Sequence, residues 1–488
     1  MTRVTDRRDP APTTDLPADP DAGLGADEIA AITGGTILAR SARPVRGGAV
    51  DSRAVEPGNL FVALPGERTD GHAFVGAALA AGAAAVLVGR PPDPADLAAR
   101  EATVIQVADP LAALQSVAGA WRRRFDPLVV GITGSIAKTS TKEAVAAVLG
   151  SVMPTLKNEG NLNNEIGLPL TVLRMRAEHR AAVLEMGMYV GGEIADLARI
   201  GRPEIGVVTA VQAVHLSRIG TIEAVEKAKG ELVEALPDDG VAVLNADDER
   251  VRRMALRTRA RSLTYGFAAD ADVRATGVRS RGLEGMEFEL WVAGQRWLVE
   301  TRALGALSVH NGLAAVAVGH AAGLSMAAIV AALANGWSAP HRVQPLTAGK
   351  VAIIDDTYNA SPGSVMAALD LLAGLSGRRI AVLGEMRELG DDRVDGHRRV
   401  GAAAAAVGLE RLVVVGPEAG GIAAGARAAG LSGSRIIETA DRAAALDALL
   451  SILEPGDVVL VKASRGVALD LLVEQLVVAL RSAGEPTS

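Results

Sequence analysis

Leu128–Gly150 reads LVVGITGSIAKTSTKEAVAAVLG, and this stretch decides the fold. A buried strand, Leu128 to Ile132, runs into a Gly/Ser loop, and a helix starts near Lys138. Backbone N–H groups at such a helix start, reinforced by the helix dipole, bind phosphate. Lys138 would supply a point charge there, and Thr139 a hydroxyl for Mg²⁺. The general phosphate-loop pattern is G-x-x-x-x-G-K-[ST]. Ile132 and Ala137 stand where that pattern has glycine. An ordinary βα turn with a Ser/Thr cap is therefore the plain alternative on this segment alone.

The same strand-then-helix rhythm extends in both directions. AAVLEMG, GVVTAV, VAVLNA, IAVLGEM, LVVVGP and VVLVKAS are short and mostly apolar. Periodic runs such as TIEAVEKAKGELVEAL and SVMAALDLLAGL lie between them. Fully apolar short strands separated by helices indicate parallel sheets covered on both faces, so the class is α/β. Residues 264–302 instead alternate apolar and polar, which predicts an antiparallel patch within the central unit. The breaks predict a disordered lead over 1–27, an N-terminal domain over 28–107, a central domain over 108–338 and a C-terminal domain over 339–488.

Length and composition agree. The chain has 488 residues, enough for about three domains. Hydrophobic residues make up 49%, but aromatics only 2%, so the core must be aliphatic. High apolar content with a net charge of −7 rules out disorder as the main state. The same balance leaves no global basic field to attract nucleic acid, and there are few rings on which bases could stack. Cys is absent, which excludes a disulfide scaffold, a thiolate metal site and a Cys nucleophile. The first 27 residues lack the apolar stretch of a signal peptide. Ala73–Gly89 and Ala303–His341 are the most apolar stretches; internal Gly, Asn and His, or a helix-to-strand break, read them as soluble elements rather than membrane spans.

Gly131–Glu143 (GITGSIAKTSTKE) resembles the ATP loop of Mur ligases, usually T-G-[ST]-x-G-K-T-[ST]. That family also lacks glycine at the position of Ile132, so only Ala137 departs from it. Asn158–Pro169 (NEGNLNNEIGLP), AKGELVEAL, VLNADDE, IIDDTYNASPGSVMAAL, LGEMRELG and VKASRG follow in the family's order, as does the N-terminal DSRAVEPGNLFVALPGERTDGH. The likeness runs from about residue 28 to residue 480. It implies three α/β domains: a small N-terminal substrate domain, a central ATPase domain and a Rossmann-like C-terminal domain. It also implies a cytoplasmic ligase of peptidoglycan synthesis, monomeric by family default. The N-x-N-N-E-x-G-x-P segment implies addition of D-alanyl-D-alanine to UDP-N-acetylmuramoyl-tripeptide. Such a ligase phosphorylates the carboxylate with ATP, and the amine then displaces phosphate through a tetrahedral intermediate.

The resemblance carries roles onto particular residues. Gly134, Ser135, Ile136, Ala137, Lys138, Thr139 and Ser140 would cradle ATP, joined by Asn311 near adenine, Arg342 at the phosphates and Asp356 at the ribose. Two Mg²⁺ would be held by Thr139, Glu185, His215 and a carbamylated Lys229. Lys138, Lys229, His215 and Arg342 form the expected catalytic set. Asp51, Ser52 and Arg53 would meet the uridine nucleotide, with Asn163 and Asn164 also on the substrate side. Tyr358, Asn359, Ser361, Lys462, Ser464 and Arg465 would line the dipeptide side. Ala210, Gln212, Leu307, Ser308 and Ala463 also depart from the family pattern. Bland readings stand beside these: Asp51–Arg53 as a structural turn, Lys229 as a surface lysine pairing with Glu226, and DDTYNASP as a polar turn before a helix. Two other functions stay open, a related ligase with a different amine and a nucleotide-binding relative without turnover.

Overall fold

A computed structural model describes residues 19–66, 69–93, 101–212, 220–387 and 389–482. The strands gather into three sheets. The first holds β1 (Thr36–Ala39), β2 (Gly48–Ala49), β3 (Leu60–Val62), β4 (Ala85–Val88) and β5 (Thr103–Gln106), in the order β1-β5-β4-β3-β2. Only β1 is antiparallel to its neighbour. The second holds β6 (Leu128–Thr133), β7 (Thr155–Lys157), β8 (Ala181–Glu185), β9 (Ile205–Val208), β10 (Val241–Asn245), β11 (Arg261–Gly266), β12 (Val273–Ser280), β13 (Met286–Val292) and β14 (Gln295–Thr301). Their order is β14-β13-β12-β11-β10-β9-β6-β8-β7. The third holds β15 (Gln344–Ala348), β16 (Val351–Asp355), β17 (Arg379–Gly384), β18 (Arg411–Val415), β19 (Ile436–Thr439) and β20 (Val458–Lys462), in the order β15-β16-β20-β17-β18-β19.

The apolar runs are the parallel strands, as their composition requires. Every residue of β8, β10 and β20 is buried. The alternating stretch is the antiparallel part: β12, β13 and β14 pair antiparallel, and β13 shows strict buried-then-half-buried alternation. In the third sheet neighbouring residues serve opposite faces. Ile353, Val382 and Val459 join one apolar cluster, while Ile354, Ala381 and Leu460 join the other. Period-two alternation with helices on both sides produces this split. Each fully buried Leu or Val in such a core contributes about 1.5–3 kcal/mol.

The chain divides into two compact units. One takes in the described residues up to Leu128 with Leu156–Ala182 and Asp196–Arg202; the other takes in Val129–Thr155, Val183–Ala195 and the residues from Pro203. In the first unit the helix Pro110–Arg122 starts on Asp109, whose carboxylate accepts from the Leu111 and Ala112 amides, with Pro110 in its first turn. Its Trp121 is buried and donates to the Met175 carbonyl at 3.1 Å, while Arg124 stacks 5.2 Å from the ring. The disordered lead expected over 1–27 ends sooner. Leu24 bridges Val45 and is 1% exposed, and a helix begins at Ala26. An apolar side chain met by a strand partner is worth burying, whatever the polarity of its neighbours. Among the described residues no helix is long and apolar enough to cross a membrane.

Gly131 lies inside β6, where a Cβ would come within 2.9 Å of Leu232. It is a packing glycine. Ala463, a departure from the family pattern, has no left-handed backbone and is wholly buried. The constraint falls on Gly384 instead, since a Cβ there would lie 2.8 Å from the Ala463 methyl. Ala137 is different. It is the residue before the helix Lys138–Gly150, with φ 64° and ψ 0°.

Two outcomes follow for stability. Left-handed backbone costs a non-glycine residue roughly 1–2 kcal/mol, partly offset because glycine frees the unfolded chain. Ala137→Gly should therefore raise unfolding free energy by about 0.5–1 kcal/mol in a denaturant titration. Gly384→Ala should destabilise by about 1–3 kcal/mol through overpacking, and Ala463→Gly should restore most of that loss in the double variant.

Candidate active site

The loop Gly134–Ala137 is clamped from one neighbouring strand end. The Thr209 hydroxyl donates to the Ile136 carbonyl at 2.6 Å, and the Ser135 amide donates to the Ala210 carbonyl at 2.8 Å. The Gln212 amide donates to the Ser135 hydroxyl at 2.9 Å. Gly134 has φ 152°, and a Cβ there would sit 1.8 Å from the Thr209 hydroxyl oxygen. Only glycine fits. The clamp comes from Thr209, Ala210 and Gln212, so two residues that depart from the family pattern serve through their backbones.

Lys138 follows on the first helical turn. Its ammonium donates to the Gly134 carbonyl at 2.8 Å and so folds back over the loop. Burial lowers its pKa, the Glu185 charge opposes this, and the Arg342 charge adds to it. Lys138 thus feels a carboxylate from the end of β8 and a cation from the segment before β15. Lys229, on the helix Ile222–Glu234, is 3% exposed rather than a surface lysine. Its pKa lies well below the ordinary lysine value because burial disfavours the charged form and the Lys138 charge repels it, with Glu231 opposing. Thr139 is buried, as is Glu185 at 2% exposed; Ser140 is half-buried. Three cations and one buried carboxylate thus act around one loop. His215 lies outside the described residues.

Among the described residues no group of three or more His, Asp or Glu could hold a metal by itself. The donors do suit Mg²⁺ bridged to phosphate. One carboxylate and one hydroxyl, both hard oxygens, leave the remaining positions to phosphate and water, which is how Mg²⁺ is usually held.

Asn311, expected near adenine, is buried and braces two helices. Its Oδ1 accepts from the Thr141 hydroxyl at 3.2 Å. The position next to it matters more. His310, to which no role was carried over, has Nε2 3.1 Å from Asn245 Oδ1 and 3.2 Å from Asp247 Oδ2. Its ring lies 5.0 Å from that of Tyr265 and 5.5 Å from that of Phe267, which is partly exposed. Burial alone would raise the Asp247 pKa, but the His310 contact and the Phe267 and Ala268 amides bring it below the usual value. The signal for this cluster was VLNADDE, a motif quoted without a role.

The ends of β16, β20 and β17 form the other part of the second unit's cleft chemistry. Asp356 and Lys462, expected to serve ribose and dipeptide, are engaged with each other at 2.6 Å, and both are buried. Lys462 also donates to the Asn359 carbonyl, and Asp356 accepts from the Val343 amide. Ser361 caps the helix Pro362–Ala373 in a reciprocal box with Ser364. The Ser464 hydroxyl accepts from the Arg387 amide at 2.8 Å, tying the LGEMRELG loop to the VKASRG loop. Tyr358 meets two guanidiniums, with Arg342 4.0 Å and Arg465 5.3 Å from its ring centre.

In the first unit Asp51 is the cap of a short 3₁₀ turn and accepts from the Arg53 amide and side chain. Arg53 holds the Asp51 carboxyl down at about 2. Both are exposed, and Ser52 is half-buried. Asn164 accepts from the Gly167 amide at 2.9 Å just ahead of the helix Gly167–Leu173; Asn163 is half-buried.

Comparison with known proteins agrees with this layout. The Mur ligase middle domain matches residues 132–319, the Mur ligase glutamate ligase domain 341–465, and the Mur ligase family catalytic domain 45–122. The UDP-N-acetylmuramoyl-tripeptide--D-alanyl-D-alanine ligase of Synechocystis sp. is 38% identical over 448 residues, 90% of this chain and 92% of that one. Crystal structure II of MurF from Acinetobacter baumannii superposes with TM-score 0.84 at 30% identity, covering 94% of this chain and 99% of that one. The MurF ligase from Thermotoga maritima in complex with ADP gives TM-score 0.78 at 29% identity, covering 90% and 99%. The matched stretches carry the clamped loop, Glu185, Lys229 and the Arg342–Lys462 region, and the chain belongs to the Mur ligase family.

Proposed function

We propose that this chain is an ATP-dependent peptide ligase that joins D-alanyl-D-alanine to UDP-N-acetylmuramoyl-tripeptide in peptidoglycan synthesis. The observation that carries the reading is Lys138 folded onto the Gly134 carbonyl of the clamped loop, with the charges of Glu185, Arg342 and Lys229 close enough to act on it. The names of its relatives supply the substrates. The three-domain boundaries at 28–107, 108–338 and 339–488 belong to the same proposal, as do a cytoplasmic setting and a monomeric state. The Cys-free composition is compatible with a reducing compartment.

The chemistry asks for charge neutralisation and orientation. An acyl carboxylate takes the terminal phosphoryl group, and the amine then attacks the acyl carbon and expels phosphate. The amides of the clamped loop would hold phosphate oxygens, and Lys138 would leave the Gly134 carbonyl to meet them. Arg342 would spread charge on the transferring group. Thr139 and Glu185 would hold Mg²⁺, which screens phosphate charge when bound. Lys229 is held toward its neutral form, the form that reacts with CO₂, which supports a carbamate at this position and so a further anionic ligand. The exposed Phe267 ring, with His310 and Asn245 beside it, offers an apolar face with polar neighbours for the nucleotide base.

Phosphate release should require ATP, Mg²⁺, the UDP-linked tripeptide and D-alanyl-D-alanine together. Release with another amine but not the dipeptide would favour the related-ligase reading, and no release under any condition the relative without turnover. Lys138→Ala should lower kcat by roughly 10²–10³, the scale for removing one pre-organised charge donor. ¹³C-bicarbonate should produce a carbamate signal that Lys229→Arg abolishes; the absence of that signal in the active wild-type enzyme would remove the carbamate from the scheme.

A further inference from the structure

We propose that Tyr358 is a positioning residue whose ring holds the guanidiniums of both Arg342 and Arg465 within 5.3 Å of one ring centre, so that both charges stay available to one phosphoryl group. The proposal rests on the reading that this cleft takes a nucleotide.

The two arginines come from separate places, one from the segment before β15 and one from the turn after β20. Their guanidinium carbons lie 4.0 Å and 5.3 Å from the same ring centre, within the range at which a ring quadrupole attracts a cation. The ring is fixed under Arg342 by the backbone. The Tyr358 amide donates to the His341 carbonyl at 3.0 Å, and the Val343 amide donates to Asp356 at 3.2 Å. His341 Nδ1 lies 2.8 Å from Asp355. Arg342 is flanked by His341 at φ 60° and Val343 at φ 48°, and a β-branched residue occupies that region only when its surroundings impose it. The strained turn and its three ties to residues 355–358 fix where the Arg342 side chain leaves the backbone.

The choice of partner then matters. Among the described residues neither Arg342 nor Arg465 meets a carboxylate, and the buried Arg342 Nε has no hydrogen-bond acceptor. A carboxylate would position a guanidinium but cancel its charge. An aromatic face positions it and leaves the charge and the edge donors free. Two like charges on one ring also repel, and an anion bridging them relieves that repulsion. A phosphoryl group, with several oxygens and multiple negative charge, fits the pair. Neighbouring Lys462 is already taken by Asp356, so it does not compete.

The test uses the full chain. In ligand-free protein labelled with ¹⁵N-arginine, the Arg342 and Arg465 side chains should show ring-current shifts that Tyr358→Phe keeps and Tyr358→Leu loses. Absence of such shifts in the wild type overturns the proposal whether or not the protein turns over. By calorimetry with Mg²⁺-ADP, Tyr358→Leu should bind about 5–10-fold more weakly, Tyr358→Phe within about twofold of wild type, and Tyr358→His between them. In an Arg342→Ala background the Leu substitution should cost less than about twofold. Equal loss in the Phe and Leu variants overturns the proposal, because it would assign the effect to the hydroxyl. If the Leu variant does not fold, the Phe and His variants decide, and equal affinities between them overturn it. Normal ring shifts and ADP binding without dipeptide-dependent phosphate release would sink the ligase reading and leave the platform standing.

Discussion

The site depends on how closely a loop of four residues can be drawn against the next strand. Thr209 sets that distance. Its hydroxyl reaches the Ile136 carbonyl at 2.6 Å and occupies the space where any side chain on Gly134 would go. With the loop held there, the helix starts at Lys138, and the dipole at that end favours anions. The left-handed turn at Ala137 is a consequence of the same closure. The loop must reverse direction before the helix begins, and the strain of an alanine there is borne by the clamp and the helix behind it.

Around the loop the charges are arranged to be unhappy until something anionic arrives. Lys138 and Lys229 repel each other and are both buried enough to lose pKa. Arg342 adds a third positive charge and is held by a ring rather than a carboxylate. Glu185 is the one nearby opposite charge that shifts Lys138 upward. By contrast, the buried Lys462–Asp356 pair is internally matched and ties the turn after β16 to the end of β20. Breaking one side of such a pair leaves an uncompensated charge, so it braces the two strand ends, whereas Lys138, Lys229 and Arg342 have no ion-paired carboxylate among the described residues.

Much of this was legible from sequence. The strand–loop–helix over Leu128–Gly150, Glu185 at a strand end and the antiparallel stretch within 264–302 follow from local periodicity and residue type. Ala137 stood out as an alanine where the loop pattern has glycine, and it carries the left-handed backbone that glycine favours. Other features were not. The sequence alone left a surface lysine paired with Glu226 open beside the ligand reading of Lys229, and its burial was not legible, because which helix face turns inward depends on the sheet beneath it. His310 had no motif position, and its role comes from Asn245 and Asp247, more than sixty residues earlier. That Gly384 is the residue leaving room for the Ala463 methyl could not be read either, because the two are 79 positions apart.

The sequence by itself determined the elements, the α/β class, the family and the residues able to carry phosphate chemistry. These are properties of short runs: periodicity, loop composition and the identity of a few side chains. Tertiary structure alone decided which of those residues are spent on one another. Lys462 and Asp356 are 106 positions apart and meet only because β16 and β20 are neighbours. Arg342 and Arg465 share Tyr358 for the same reason. A charge is free or consumed according to what lies within a few ångströms of it, and strand order, not sequence spacing, sets that.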